Sequence, residues 1–446
     1  MLDEQEVTTI LRRGQVMQTN RRLAAGVEKV TRRAYRPLFL IIGVFSGLVS
    51  VASRADVPNT FVDGTPAVAG EVNANFDNLD QRLENLESLG LADRLSVLEN
   101  LDPPEITVDC DTNPGALQAA IDAASPLGLS IQVSGSCGAV EIFNKRNLFI
   151  DGGDKSSTTI TASTELAALG IALSQGVFID NVTAVGSNEE PAIIVGASVV
   201  ILGNITATNG PNNDGTVTVA AGSYTVFDGD IAIGSADGSD PVALQLSERG
   251  SVIIENALAT IKGVAAIAME QQSLFDHDPS TPADILNIEG NVGVGSLSTF
   301  EMNHGSIQGN TNILGGSNFL ARAETGYNIS IDGNVNSSGG GSTFTLATVD
   351  EGTASLAGTY TANFSGGGAV IGAGTVFSPA TVNVASASRL LIQGGAVIGD
   401  GETNPEFNVN RFSILTSFSE LDPVRVTCNG TVVAQQLAPE FLDLYL

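Results

Sequence analysis

Three consecutive stretches share one pattern: AIIVGASVVILGNITATNG at residues 192–210, TVTVAAGSYTVFDGDIAIGS at 216–235 and VALQLSERGSVIIENALATIKG at 242–263. Each holds three short runs of β-forming residues separated by Gly, Ser, Asn or Asp, and the stretches begin 24 and 26 residues apart. Residues 343–364 and 381–401 repeat the pattern. A period in the low twenties with three strands per unit is typical of a solenoid. Stacked at about 4.8 Å per turn, roughly 290 residues predict about 12 turns and a rod about 58 Å long.

A β-sandwich is the alternative fold, and it would need hairpins with two-residue turns between antiparallel strands. Few Asn-Gly or Asp-Gly pairs stand between alternating runs in this sequence. The exception is VRVTCNGTVVA at 424–434, where Asn429 and Gly430 suit a type I′ turn. Because a solenoid needs its last edge covered, we expect residues 424–446 to form a C-terminal cap hairpin and tail.

One short helix precedes the repeats, in NPGALQAAIDAASPLG at residues 113–128. Asn113 is the predicted N-cap, Pro114 suits the first turn, and Pro126 ends the helix. One apolar face is formed at i, i+3, i+4 and i+7 by Leu117, Ala120, Ile121 and Ala124. A helix this short is unstable alone, so we expect this face to cover the first turn of the solenoid.

This opening resembles that of the right-handed parallel β-helix in the pectin-lyase-like superfamily. The resemblance rests on a helix, LQAAIDAA, followed by LSIQVSGSC and then LFIDGG, and it covers residues 107 to about 430. It implies the fold, and it raises the question of polysaccharide chemistry, since enzymes on this fold cut polysaccharides. A fold alone does not imply an activity.

Three cysteines occur, at positions 110, 137 and 428. Cys110 and Cys137 bracket the opening helix and are the candidate disulfide pair. Cys428 is left over, and we expect it to be a buried small side chain. No two cysteines stand at the spacing of metal ligands.

The N-terminal 55 residues predict export. They hold nine Arg or Lys against four Asp or Glu, and an uncharged apolar run extends from Leu38 to Ala52. About 15 residues are short for a membrane span and suit a signal peptide cleaved after Ala52 or Ala55. The alternative is a retained anchor at residues 38–52 with its positive end in the cytoplasm. Both interpretations place the body outside, as a secreted or cell-surface protein of bacterial type.

Residues 56–105 predict a helical stalk that self-associates. Apolar residues step by four and three along a heptad seam of Val72, Phe76, Leu79, Leu83 and Leu86. A trimer suits this seam, and a helix laid back against the body is the alternative. The run PNTFVDGTPAVAGEVNANFDNL at 58–79 resembles a short module ahead of exported or phage-related bacterial proteins. "DPPE" at 102–105 separates the stalk from the β-helix of 106–423.

The body is strongly acidic. The chain has 20 basic and 49 acidic residues, so 11 basic and 45 acidic residues remain after position 55. Such a surface repels phosphate backbones, which excludes nucleic acid as a partner. Ca²⁺ at acidic turns, as in PNNDGT, SADGSDP and GDGETNP, is the one inorganic ligand to consider, but these runs match no calcium motif. We expect ordinary turns there, and no cofactor or metal.

Catalytic motifs of polysaccharide hydrolases and lyases are missing. The fragment nearest to a Gly-His-Gly motif is NHGS at His304, which lacks the first glycine. Carboxylate pairs are the remaining candidates for acid–base chemistry: Asp276 with Asp278, Glu301, and Glu324 beside Arg322. Pro279 and Pro282 favour a loop around Asp276 and Asp278, in which their side chains would have no common direction. We therefore assign no catalytic residue.

Aromatic residues that could form sugar-binding platforms are scarce. The chain has no Trp, and its Phe residues stand in apolar contexts that predict stacking inside the coil. The sequence predicts an exported, non-enzymatic β-helix protein for surface structure or adhesion. The alternatives are a polysaccharide lyase or hydrolase, including a tailspike-like depolymerase, and a module that recognises a surface glycan.

Overall fold

The computed structural model describes residues 104–446 except 125–127, 210–214, 256–257, 350–351, 400–404, 411–412, 418–424, 429–430, 435–441 and 445–446. The expected export segment and the seam from Val72 to Leu86 lie outside these residues. Within the described ranges, no helix is long and apolar enough to cross a membrane. The body, Glu105–Leu446, is a unit distinct from the segment before it.

Parallel strands stack into three faces that wind around one core. Sheet A comprises β1 Glu105–Asp109, the first part of β2 Leu129–Cys137, β4 Arg146–Asp151, β7 Gln175–Asp180, β10 Val199–Gly203, β13 Tyr224–Asp228, β16 Ser251–Glu255, β18 Leu274–Asp278, β20 Thr299–Met302, β23 Asn318–Ala323, β26 Thr343–Thr348, β28 Gly368–Ile371, β30 Arg389–Ile392, β33 Ile414–Ser417 and β36 Leu442–Leu444.

Sheet B comprises the end of β2, β5 Thr158–Thr161, β8 Thr183–Val185, β11 Thr206–Thr208, β14 Ile231–Ile233, the first parts of β17 Ala259–Met269 and β19 Leu286–Val294, β21 Gly305–Gln308, β24 Asn328–Asp332, the first parts of β27 Thr353–Ser365 and β29 Thr375–Ala385, and β31 Val397–Ile398. Sheet C comprises β3 Val140–Phe143, β6 Leu169–Ala172, β9 Ile193–Gly196, β12 Val217–Ala220, β15 Val242–Leu246, the second parts of β17, β19, β27 and β29, β22 Thr311–Leu314, β25 Val335–Ser338, β32 Glu406–Val409, β34 Arg425–Cys428 and β35 Thr431–Ala434.

Alternation of side chains places the core. In β7, Val177 and Ile179 are buried whereas Phe178 between them points outward, as a two-residue period requires. From β1 to β34, each strand pairs in parallel with its counterpart one turn away; Ile179, for example, pairs with Leu202 of β10. The predicted parallel β-helix of about 12 turns is confirmed.

The turns of the coil differ in length but stay in register. Buried serines mark one corner, just before sheet A, and they lie 24 residues apart at Ser174 and Ser198 but 19 apart at Ser298 and Ser317. The Ser174 backbone N–H donates to the Ser198 hydroxyl, and the Ser298 N–H donates to that of Ser317. Variation in length is therefore absorbed elsewhere in each turn.

Phenylalanines stack along the inside of the coil. Phe275, Phe300 and Phe319 occupy one inward column of sheet A, with ring centroids 4.8 Å apart at each step. Phe344 continues the column 5.5 Å beyond Phe319. Such offset aromatic contacts add to the hydrophobic contribution of the rings and tie consecutive turns together.

Five asparagines form a ladder on the outer face of sheet C. The side-chain amide of each donates to the side-chain oxygen of the one before, at 2.6–3.1 Å, through Asn312, Asn336, Asn363, Asn383 and Asn408. Because the amides repeat at the strand spacing, each one bridges two turns.

The single helix of the described residues, α1 at Ala116–Ala123, packs beside β1, β2 and β3. Leu117 and Ile121 are fully buried, and Ala120 and Ala124 are partly buried against the same core. The N-cap position is Gly115; Asn113 instead accepts the Gly115 backbone N–H through its side chain at 3.1 Å. The predicted cap at Asn113 is thus wrong by two residues.

Polar contacts tie this helix to the first turn. The Gln118 side chain accepts the Glu141 backbone N–H at 2.7 Å and donates to the Glu141 carbonyl at 3.1 Å. Glu141 lies in β3, the first strand of sheet C. Cys110 and Cys137 form a disulfide with their Cα atoms 4.9 Å apart.

The C-terminal strands change direction. β34 and β35 pair antiparallel, with Cys428 opposite Thr431, and β36 runs antiparallel to β33. The turn at Asn429 and Gly430 lies outside the described residues. Antiparallel pairing at this end halts the parallel stacking.

Candidate functional site

Charged side chains from three consecutive turns meet on the outer face of sheet A. Asp276 and Asp278 belong to β18, Glu301 to β20 and Arg322 to β23. Alternation in β18 buries Phe275 and points Asp276 outward. The predicted loop at this position is wrong, because the strand continues to Asp278 and the first proline follows it. We call Asp276, Asp278, Glu301 and Arg322 the carboxylate cluster.

Register makes two of these carboxylates direct neighbours. Asp276 pairs with Glu301, and Glu301 pairs with Leu320, two residues before Arg322. Strands in a sheet lie about 4.8 Å apart, and side chains at paired positions point the same way. The Asp276 and Glu301 carboxyls therefore share one small region of the surface.

Partial burial and the charge of neighbouring carboxylates raise the pKa of both Asp276 and Glu301. The pKa of Asp276 is raised first by partial burial and then by the charge of Asp278. The pKa of Glu301 is raised by partial burial and by Asp276, while Arg322 opposes the shift. Each of these two carboxyls is therefore easier to protonate than a fully exposed one.

Arg322 has a second carboxylate beside it. Its Nη2 lies 3.6 Å from Oε1 of Glu324, and both side chains are about half exposed. This ion pair contributes little to folding, because solvent screens it. Glu324 and Arg322 form a candidate pair in the sequence, and in the structure the charges of both act on Glu301.

A clasp of His304 and Tyr327 holds the loop that follows β18. The Nε2 of His304 lies 3.2 Å from the Pro282 carbonyl oxygen, and its Nδ1 lies 2.9 Å from the carbonyl oxygen and 3.0 Å from the backbone nitrogen of Asn328. The Tyr327 hydroxyl donates to the Pro279 carbonyl at 3.0 Å, and its ring stacks on His304 with centroids 5.3 Å apart. Sequence reasoning treated His304 only as a motif fragment, since these contacts depend on loop length.

His277 lies in the core directly beneath the cluster. Its side chain is fully buried between Ile254 and Met302 of adjacent turns, and neither ring nitrogen has a hydrogen-bond partner. Burial lowers the pKa of His277 to about 4, and the charge of His304 acts in the same direction. Alternation in the run FDHD is the signal that could have placed this histidine inside.

Acidic turns do not gather into a metal site in the described ranges. No group of three or more His, Cys, Asp or Glu residues could hold a metal ion there. In the turn SADGSDP, hydrogen bonds from the side chain and backbone of Ser239 lower the pKa of Asp237 to about 2. This is the chemistry of an ordinary turn. The runs PNNDGT and GDGETNP fall mainly outside the described residues.

Chemically, the carboxylate cluster can accept or release protons and bind hydroxyl or cationic groups. Retaining glycosidases hold their two carboxyls about 5–5.5 Å apart, a separation that adjacent strands of a sheet permit. No family model, curated protein or solved structure matches the chain.

Proposed function

We propose that the chain is an exported, non-enzymatic β-helix protein that contributes to surface structure or adhesion. The observation that carries this proposal is the continuity of the stack. The Phe275–Phe344 column inside and the Asn312–Asn408 ladder outside tie turn to turn over the second half of the body. A coil tied in this way suits a stiff spacer that presents its faces at a distance from its base.

The finer parts of this proposal concern the N-terminal half. Residues 1–55 direct export, residues 56–105 self-associate through the heptad seam, and α1 caps the first turn of a right-handed coil of the pectin-lyase-like kind. The contact of Gln118 with β3 and the burial of Leu117 and Ile121 support the capping role.

Labelling of intact cells tests the location. An antibody against residues 106–423 should bind cells of the producing organism without permeabilisation. Labelling that requires permeabilisation, as for a cytoplasmic control protein, would overturn the proposal.

Polysaccharide hydrolysis is the second candidate, and the direct register of Asp276 with Glu301 favours it. In this mechanism the protonated member of the pair donates to the glycosidic oxygen and the ionised member attacks the sugar. Arg322 would hold a carboxylate of an acidic sugar.

A panel of acidic and neutral polysaccharides separates the two candidates. The full-length protein, Asp276→Asn and Glu301→Gln are incubated with each polymer, and new reducing or unsaturated ends are measured. We expect no turnover by any of the three. Turnover by the wild type that both variants lose would instead establish the hydrolase.

A further inference from the structure

An apolar stripe runs along the outer face of sheet A, over the five turns before the carboxylate cluster. The stripe consists of Phe149, Phe178, Ile201, Val226 and Ile253, which pair in register from each strand to the next. Phe149, Phe178 and Ile253 are half-buried, and Val226 is the most covered of the five at 9% exposure. Phe149 and Phe178 stack with centroids 4.9 Å apart. The expectation that phenylalanines stack inside the coil therefore fails for these two. Ile201 is 38% exposed, and Val199 and Tyr224 beside it are each 41% exposed.

Carboxylates border this stripe. Two positions further along the strands, a parallel column holds Asp151, Asp180, Asp228 and Glu255, with Gly203 in the middle. Beyond Ile253, the next two positions in register with the stripe are Asp276 and Glu301. Against these acids, Arg146 is the one basic residue in the five strands that carry the stripe.

We propose that this stripe is a docking surface for a basic amphipathic helix of a partner protein. Charge complementarity selects the partner: its apolar face meets the stripe, and its Lys or Arg residues meet the column from Asp151 to Glu255. A second copy of the chain is disfavoured, because its own stripe carries the same acidic border.

The dimensions fit a helix that lies along the axis of the coil. Turns of the coil repeat at about 4.8 Å and turns of a helix at 5.4 Å, so one apolar residue per helical turn meets each turn of the stripe with an offset of about 0.6 Å per turn, or about 2.4 Å over four spacings. Four spacings cover about 19 Å, the length of about 13 helical residues. The β-branched side chains of Ile201 and Ile253 suit aliphatic partners better than the flat face of a sugar ring.

Direct binding tests the proposal with a defined probe. The probe is a labelled 18-residue peptide with Leu at heptad positions a and d and Lys at e; its control carries Glu at e. Fluorescence anisotropy is measured with the full-length protein at low and high salt. We expect the Lys peptide to bind at least tenfold more tightly than the Glu peptide, with affinity that falls as salt rises.

Matched variants locate the binding surface. Ile201→Glu should weaken binding of the Lys peptide at least tenfold. Ile194→Glu, an outward isoleucine of β9 in sheet C, should leave it unchanged. Both substitutions are outward-facing, and circular dichroism checks that both variants fold.

Four outcomes overturn the proposal. These are equal binding of the two peptides, equal effects of the two variants, absence of binding at 100 µM peptide, and self-association or binding of neutral oligosaccharides that Ile201→Glu abolishes.

Discussion

Asp276 and Glu301 face each other on adjacent strands of the same sheet, so two like charges oppose one another where the rest of the column is mostly apolar. Like charges at paired positions destabilise a sheet by roughly 0.2–1 kcal/mol. The fold therefore keeps the pair at some cost in stability.

Glu301→Gln should increase the free energy of unfolding at pH 7 by about 0.5–1 kcal/mol. Because the folded pKa of Glu301 is raised, the penalty exists only where the group is ionised, and the gain should vanish as the pH falls below about 4. Urea unfolding at both pH values measures this. Glu289→Gln is the control without a gain, since Glu289 pairs with Lys262 and Gln308 and its carboxylate lies 2.8 Å from the Lys262 ammonium. Equal gains in the two variants would contradict the explanation.

Stability should fall on mild acidification because of His277. The pKa of His277 in the folded protein is about 4, below the ordinary 6.5. The free energy of unfolding is therefore unaffected by this group above pH 6.5 and falls as the pH drops toward 4, by about 3 kcal/mol in total. The variant His277→Met should remove the slope between pH 6.5 and 5. It should also stabilise the protein by about 1 kcal/mol at pH 7, since no unpartnered ring nitrogen remains buried.

His304 is the other histidine of the chain and provides the control. His304→Gln should retain the slope below pH 6.5. Thermal unfolding of both variants between pH 6.5 and 5 measures the slope. Loss of the slope in His304→Gln and not in His277→Met would refute the role of His277.

The asparagine ladder should lose stability in proportion to the bonds removed. Asn363 donates to Asn336 at 2.7 Å and accepts from Asn383 at 2.6 Å, so Asn363→Ala should cost about 1–2 kcal/mol. Asn312 ends the ladder with one such bond, and Asn312→Ala should cost about half as much. Asn363→Asp should be worse than Ala, because it places a carboxylate oxygen against the Asn336 side-chain oxygen, and two acceptors repel each other. Equal costs at both positions in chemical denaturation would argue against coupling along the ladder.

Gly290→Ala should destabilise the coil by about 3 kcal/mol. Gly290 has a φ of +138°, and a Cβ there would lie 1.8 Å from the carbonyl oxygen of Gly263 on the preceding turn. Gly196→Ala is the matched control, since a Cβ there meets nothing within 4 Å; it should change stability by less than about 0.5 kcal/mol. Melting temperatures of the two variants give the comparison.

The disulfide should stabilise the first turn of the coil. Cys110 and Cys137 close a loop with a separation of 27 residues, worth about 3 kcal/mol by chain entropy. Cys137→Ser should lower the free energy of unfolding by that amount and abolish the effect of reducing agent. Cys428→Ser should preserve the effect of reducing agent. In Cys137→Ser, hydrogen exchange should show that backbone amides of residues 105–143 lose protection before those of the rest of the body.

Local patterns predicted the class of fold but not the neighbours across turns. The three β-patterned runs in each repeat, as at residues 192–210, predicted three strands per turn, because this number of short strands in a period in the low twenties is typical of a solenoid. The relation between Asp276 and Glu301 depends on register, and unequal turn lengths conceal register in a sequence. The same holds for the ladder through Asn363.

Two further features needed the structure for other reasons. Prolines 279 and 282 suggested a loop at Asp276, since proline interrupts strands, yet β18 ends just before the first of them. Serines such as Ser298 are buried at a corner, where their hydroxyls bond the backbone of the adjacent turn. Serine is common in exposed turns as well, so its presence alone does not indicate burial.

The unequal turns have an evolutionary consequence. Each turn contacts only the two turns beside it. A gene that gains or loses the segment for one whole turn therefore still encodes adjacent turns whose strands, corners and inner columns match. The reach of the protein can then change in steps of about 4.8 Å while its two ends keep their sequences. Length is thus a heritable variable that selection can adjust without redesigning any surface.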